Sequence, residues 1–174
     1  MICHKPLLAG CGFLPNSHII DCCSSLAKYW GGENVEYSAD QCPKNILSSI
    51  PKGRGLVQLV GDPAQILPEG DSWLSSLGAW KYPTILVAGT SLSTGDILGN
   101  ASAYEALCRD LSVPLVGLLQ YGGQWKPALR KLDGLPWCGW IPDKKNYLIQ
   151  SEENLLSIEE VVFILQRRLH ILGF

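Results

Sequence analysis

The stretch HKPLLAG, residues 4–10, opens the chain as an apolar run that carries a lysine-proline pair and stops at a glycine. This pattern is typical of a strand that delivers a charged group, here Lys5, to the end of a sheet. If that group served a phosphate, a glycine-rich loop should stand before the strand. Only Met1 to Cys3 precede it. The rest of the chain therefore has to show what kind of sheet this strand joins.

Apolar runs alternate with helical patterns along the whole chain. The runs are residues 2–9, 56–60, 84–88, 114–119 and 137–141. They are continuously apolar, which is typical of strands that are buried on both faces of a parallel sheet. The helical patterns cover residues 18–30, 72–80, 99–111 and 124–132, followed by a last helix that begins with the capping box at Ser157 to Glu160.

This alternation predicts a three-layer α/β fold, in which a mostly parallel sheet of about five strands is flanked by helices. Asn16 and Ser17 are expected to cap the first helix, and Gly31-Gly32 to end it. Residues 33–53 are polar and are expected to form an irregular excursion.

Composition limits the classes of protein that the chain can belong to. Its 174 residues, of which 47% are hydrophobic and 17% charged, suit one domain spanning 1–174. The formal net charge of −2 gives no basic field for a nucleic acid, so we expect no nucleic-acid partner. No apolar run is long enough to span a bilayer, which favours a cytoplasmic protein without a membrane partner.

The seven cysteines are not spaced like a zinc site, because no CxxC pair occurs. They are expected to be reduced thiols in the core, and no metal ligand is assigned. The adjacent Cys22 and Cys23 leave two interpretations open, a redox or metal pair and buried helix packing, of which packing is favoured.

Ligands of open parallel sheets bind outside the carboxyl ends of the strands. The loops that follow the predicted strands contain glycine, hydroxyl, amide and carboxylate groups. The candidate ligand-binding residues are Gly10, Gly61, Asp62, Thr90, Ser91, Thr94 and Gln120. The pattern GxxxxGK[ST] is absent, and no GxGxxG follows a strand, so neither standard phosphate loop is found.

The order of the pieces resembles the dethiobiotin synthetase family of P-loop NTPases over residues 2–142. The family's motifs KPxxxG, PxxLVxG, EAL and GxIP appear here as residues 5–10, 83–89, 105–107 and 139–142. The resemblance implies a P-loop-NTPase-like fold that lacks its first βα unit, because the family places its phosphate loop just before the KP strand. Residues 143–174 would then form a C-terminal linker and helix.

The resemblance also implies an altered active site. Of the family's polar set Lys5 remains, either as the candidate catalytic lysine or as a strand-end lysine with its ammonium in water, and the second interpretation is favoured. The acidic residue at the end of the second strand becomes Val60, with Asp62 two positions further on, and a hydroxyl before Gly10 becomes Ala9. Gln120 replaces the asparagine that reads adenine in the family. ATP and Mg²⁺ are therefore expected only if the phosphate loop is supplied elsewhere, and otherwise no cofactor is expected.

Three functions remain open at this point. The first is a degenerate, non-catalytic relative of dethiobiotin synthetase that binds a protein or a metabolite. The second is an ATP-dependent enzyme of biotin synthesis that takes its phosphate loop from elsewhere. The third is a small enzyme of other chemistry, built on Asp62, Asp71, Ser91, Thr94 and Asp96. Without the first strand the sheet would expose an edge, so we expect re-pairing of the strands, self-association, or a partner that covers the edge.

Overall fold

The computed structural model describes residues 5–12, 14–91, 96–97, 99–143 and 157–174. In this part of the chain six strands form one sheet in which every pairing is parallel. The strands are β1 (Leu7–Gly10), β2 (Val35–Ser38), β3 (Val57–Val60), β4 (Thr84–Gly89), β5 (Leu115–Tyr121) and β6 (Trp137–Ile141). The predicted α/β class with a parallel sheet is confirmed, with one strand more than the sequence indicates.

In the same described ranges, six helices connect or flank these strands. They are α1 (Asn16–Trp30), α2 (Pro43–Leu47), α3 (Trp73–Ala79), α4 (Asn100–Asp110), α5 (Pro127–Leu132) and α6 (Ile158–Ile171). The helix α1 ends at Gly31, whose φ of 74° suits glycine. The predicted capping box of α6 is present, because Ser157 and Glu160 each bond the other's backbone N–H. None of the described helices is long and apolar enough to cross a membrane.

The strand order β2-β3-β1-β4-β5-β6 places β1 inside the sheet. Side chains of successive strand residues face opposite ways, so each face of the sheet has its own core. Leu8, Ile85 and Leu119 pack with α1 and α6 on one face. Leu7, Leu86 and Leu118 pack with α2, α3 and α4 on the other. The protein is thus three layers thick, with the sheet in the middle.

The sequence predicts an exposed sheet edge next to β1, and the structure shows how that edge is covered. The strand β1 pairs with β3 on one side and with β4 on the other, so no unpaired strand edge is left beside it. Of the three expected outcomes, the structure shows strand pairing within the chain itself. Among the described strands, the sheet ends at β2 and β6, which each pair on one side only.

Two details of the sequence prediction are wrong. Residues 33–53 were expected to be irregular, but they contain β2 and α2. The strand β2 pairs with β3 alone and none of its residues is buried, so its sequence need not be apolar. Asn16 and Ser17 do not cap α1: they lie in its first turn after Pro15, and no side-chain cap bond is formed there.

Candidate functional site

The crevice between the carboxyl ends of β1 and β4 is where this sheet should bind a ligand. From β1 the chain continues through α1 to β2 on one side of the sheet, and from β4 it continues through α4 to β5 on the other. Because α1 and α4 also cover opposite faces of the sheet, the loop after β1 and the loop after β4 lead away from each other and leave a crevice between them. Such a switch in strand order is the usual ligand position in open α/β sheets.

The start of α4 lies across this crevice. The side-chain amide of Asn100, the first residue of α4, donates a hydrogen bond to the backbone carbonyl of Cys11 in the loop after β1. Gly12, with a φ of 76°, fits directly beneath it: a Cβ atom there would lie 2.8 Å from Asn100 Nδ2. The loop after β1 is therefore tied to α4.

Tyr104 makes a second contact from α4, this time to the loop after β3. It follows Asn100 by four residues, so both side chains project from one face of α4. The Tyr104 hydroxyl donates to Oδ1 of Asp62, in the loop after β3, and Asp62 Oδ1 also accepts from the Ala64 backbone N–H at 2.9 Å. Burial, and then the Asp62 carboxylate, raise the pKa of Tyr104, so it remains a neutral donor.

The loops that border the crevice carry no cationic side chain that could pair with a phosphate. The side-chain oxygen of Asn100 is buried and has no hydrogen-bond partner among the described residues. In sequence, residues 11–17, 61–72 and 90–99, which follow β1, β3 and β4, include no lysine or arginine. Within the described ranges no three His, Cys, Asp or Glu side chains are arranged to hold a metal ion. The described part of these loops thus shows neither a cationic side chain for a phosphate nor a cluster of three metal ligands.

Gln120 and Thr90 organise the turn that follows β5. Gln120 is fully buried, and its amide donates to the carbonyls of Gly122 at 2.9 Å and Gln124 at 3.1 Å. Thr90 lies against the same turn, since a Cβ atom on Gly123 would come within 2.7 Å of its methyl group. The side-chain oxygen of Gln120 has no partner in the described structure.

The structure brings together most of the residues that the sequence proposes as a site, but not Lys5. Gly10, Gly61, Asp62, Thr90, Ser91 and Gln120 all lie at or just beyond the carboxyl ends of the strands. Lys5 precedes β1 and therefore lies at the amino ends of the strands. It is only 3% exposed and lies beside a cavity of about 210 Å³ that Lys52 also lines. Thr94 lies outside the described residues.

Sequence reasoning missed Asn100 and Tyr104, although their spacing of four on a predicted helix was visible. It also overlooked the spacing in the loop after β1. Gly10 is followed five, six and seven residues later by Pro15, Asn16 and Ser17, where GxxxxGK[ST] has Gly, Lys and Ser or Thr. The structure places these residues in a strand-loop-helix unit, as in a phosphate loop, with Asn16 and Ser17 beginning α1.

Cys22 and Cys23 pack in the core between α1 and the sheet. Burial is the main cause that raises the pKa of both thiols, to about 11 for Cys23. Burial likewise raises the pKa of Cys108 to about 12. These environments favour packing over a redox or metal role, because a thiol and not a thiolate is present at neutral pH.

Cysteine labelling should therefore be confined to one position in the folded protein. In a Cys3→Ser variant at pH 8, iodoacetamide is expected to modify the half-buried Cys42 about 100-fold faster than Cys22 or Cys23, because burial shields those two thiols from the reagent and raises their pKa. Peptide mapping by mass spectrometry measures the rates, and labelling in urea, where all sites should react alike, is the control. Equal rates for Cys23 and Cys42 in the folded protein would contradict this assignment.

The fold and the crevice define a three-layer parallel α/β protein, consistent with a P-loop-like architecture. No protein-family model matches the chain, and no curated protein matches it.

Proposed function

We propose that this chain is a degenerate, non-catalytic relative of dethiobiotin synthetase that acts by binding a protein or a metabolite. The observation that carries the proposal is that Asn100 and Tyr104, both on α4, bond the loops after β1 and β3 across the switch-point crevice. These two side chains use the Cys11 carbonyl and the Asp62 carboxylate as structural acceptors. Oδ1 of Asp62 accepts from both Tyr104 and the Ala64 backbone N–H, so this oxygen already serves the fold.

The loop after β1 supports the non-catalytic part of the proposal, at a different place from the one that the resemblance implies, which puts the phosphate loop before β1. In a phosphate loop the lysine side chain and the backbone N–H groups hold the phosphates. Asn16 stands at the lysine position of the spacing and carries no charge, and Pro15, at the second glycine, has no backbone N–H to donate. The loop thus has the position of a phosphate loop but lacks its lysine and the backbone N–H of its second glycine.

The alternative, an ATP-dependent dethiobiotin synthetase with its phosphate loop supplied elsewhere, is less well supported. An added central strand would need a vacant place beside β1, and β1 is paired on both sides. An enzyme of other chemistry is also less well supported, because its carboxylates are engaged separately. Asp62 accepts from Tyr104, whereas Asp71 pairs with Lys44 at 2.5 Å.

A turnover assay tests the proposal. The purified full chain is incubated with MgATP, bicarbonate and diaminopelargonate, and dethiobiotin and ADP are measured by mass spectrometry. We expect no product above the protein-free control, while an active dethiobiotin synthetase assayed in parallel forms both. ATP-dependent dethiobiotin formation would overturn the proposal, and an Asp62→Asn variant that abolished it would assign the activity to the crevice.

A further inference from the structure

A groove between α5 and the start of β6 has the composition of a small-molecule site. It encloses about 470 Å³, within the range of about 300–1,000 Å³ that is usual for such sites. Its lining, here called the tryptophan groove, includes Trp125, Trp137, Pro127, Leu135, Arg130 and Lys131. None of these residues takes part in the closed crevice, so the groove is independent of the proposed function.

The aromatic walls of the groove are held in a fixed geometry. The Trp125 and Trp137 rings meet edge to face, with centroids 6.4 Å apart and an interplanar angle of 79°. The Trp137 indole N–H donates to the Asp133 carboxylate at 2.9 Å. A flat, apolar ring could therefore pack against Trp125 and Trp137 without first having to order them.

The positively charged side of the groove, formed by Arg130, is also held in a fixed geometry by its neighbours. The Arg130 guanidinium lies 5.2 Å from the centre of the Trp137 ring and bonds Asp133 at 3.0 Å, and its side chain is only 14% exposed. Its Nε is buried and has no hydrogen-bond partner among the described residues. Of the Arg130 nitrogens, only Nη1 donates to Asp133, so the five-donor guanidinium keeps N–H groups with which it can bind a ligand oxygen.

The charge of the groove selects the kind of ligand. Arg130 and Lys131 both line it, whereas the nearby Asp133 already accepts from Trp137, Arg130 and the Leu135 backbone N–H. One positive charge is therefore left uncompensated next to two tryptophan rings. We propose that the tryptophan groove binds a small planar aromatic acid, with the ring against Trp125 and Trp137 and the carboxylate on Arg130 and Lys131.

Isothermal titration of the full chain with 2-naphthoate, 2-naphthylmethanol and acetate tests this proposal. The first probe carries both the ring and the charge, and each of the others carries one of them. We expect 2-naphthoate to bind at least about tenfold more tightly than the alcohol, and acetate to show no saturable binding up to about 10 mM. Equal binding of the first two probes, tight binding of acetate, or no binding of 2-naphthoate would overturn the proposal.

Variants locate the binding. Arg130→Gln should weaken 2-naphthoate at least about tenfold and leave the alcohol unchanged, and Lys131→Gln, at an exposed position, should weaken it about threefold. Trp80→Phe, a tryptophan away from the groove, is the matched control and should change nothing. Unchanged affinity in both charge variants would overturn the assignment. If Arg130→Gln does not fold, Lys131→Gln and the comparison of probes on the unmodified chain still decide.

Discussion

Replacing Trp73 with alanine is expected to lower the free energy of unfolding by about 3–5 kcal/mol, the cost of removing a large aromatic side chain from a core. Trp73 is fully buried in α3. Its indole N–H also donates to the carbonyls of Ala39 at 3.2 Å and Gln41 at 3.1 Å, just after β2. The side chain thus fills the core under α3 and holds the segment that follows an edge strand.

Two further variants separate these roles. Trp73→Phe keeps most of the ring but leaves both carbonyls without their donor, and should cost about 1–3 kcal/mol. Trp80→Ala removes a tryptophan that is 49% exposed, and should cost less than about 1 kcal/mol. Urea unfolding followed by circular dichroism measures all three. Equal effects of Trp73→Ala and Trp80→Ala would contradict the burial of Trp73 under α3.

Adding a methyl group at Gly117 is expected to be the second large perturbation. A Cβ atom there would lie 2.2 Å from the Cys138 sulfur and 3.0 Å from the Pro136 carbonyl oxygen, both at or next to the start of β6. Gly117→Ala should therefore cost about 1–3 kcal/mol or more through overpacking. Because Trp137 adjoins Cys138, the same change should also disturb the tryptophan groove.

A double-mutant cycle identifies the clash. Cys138→Ala removes the sulfur and is expected to cost about 1 kcal/mol alone, since the thiol packs as a small apolar group. The combined Gly117→Ala and Cys138→Ala variant should be at least about 1 kcal/mol more stable than the sum of the single effects predicts. Strict additivity in urea unfolding would show that Gly117 and Cys138 are not in contact.

The sequence was a good guide to the buried strands and a poor guide to the edge of the sheet. The run at 84–88 is apolar because β4 is covered on both faces, so its composition alone indicated a strand. Val35–Ser38 pairs on one side and is partly exposed, so it lacks that signal. The helix α2 has only five residues, too few to show a clear period.

The sequence predicts where strands end, and it therefore predicts only those residues of the candidate site that directly follow a strand. Gly61, Asp62, Thr90 and Ser91 follow strands, and parallel strands end at one edge, so their common location follows from the pattern. The contacts of Asn100 and Tyr104 do not follow, because they depend on β1 lying between β3 and β4. Strand order arises from pairing between distant segments, and spacing along the chain does not encode it.

The position of Lys5 shows the same limit. A lysine at the beginning of a strand and one at its end look alike in a short apolar run. The structure places Lys5 before β1, at the amino ends of the strands, whereas Asp62 follows β3, at their carboxyl ends. A catalytic arrangement that joins Lys5 to the residues beyond the strand ends is therefore not supported by this geometry.

The most direct test of the central claim is an isothermal titration of the purified full chain with MgATP, repeated in the presence of diaminopelargonate. If Asn100 and Tyr104 close the crevice and no cation stands in the loop after β1, neither titration should give heat beyond dilution up to about 1 mM nucleotide. Saturable binding of MgATP tighter than about 100 μM, equivalent to more than about 5 kcal/mol, would contradict the account and return the ATP-dependent enzyme to first place.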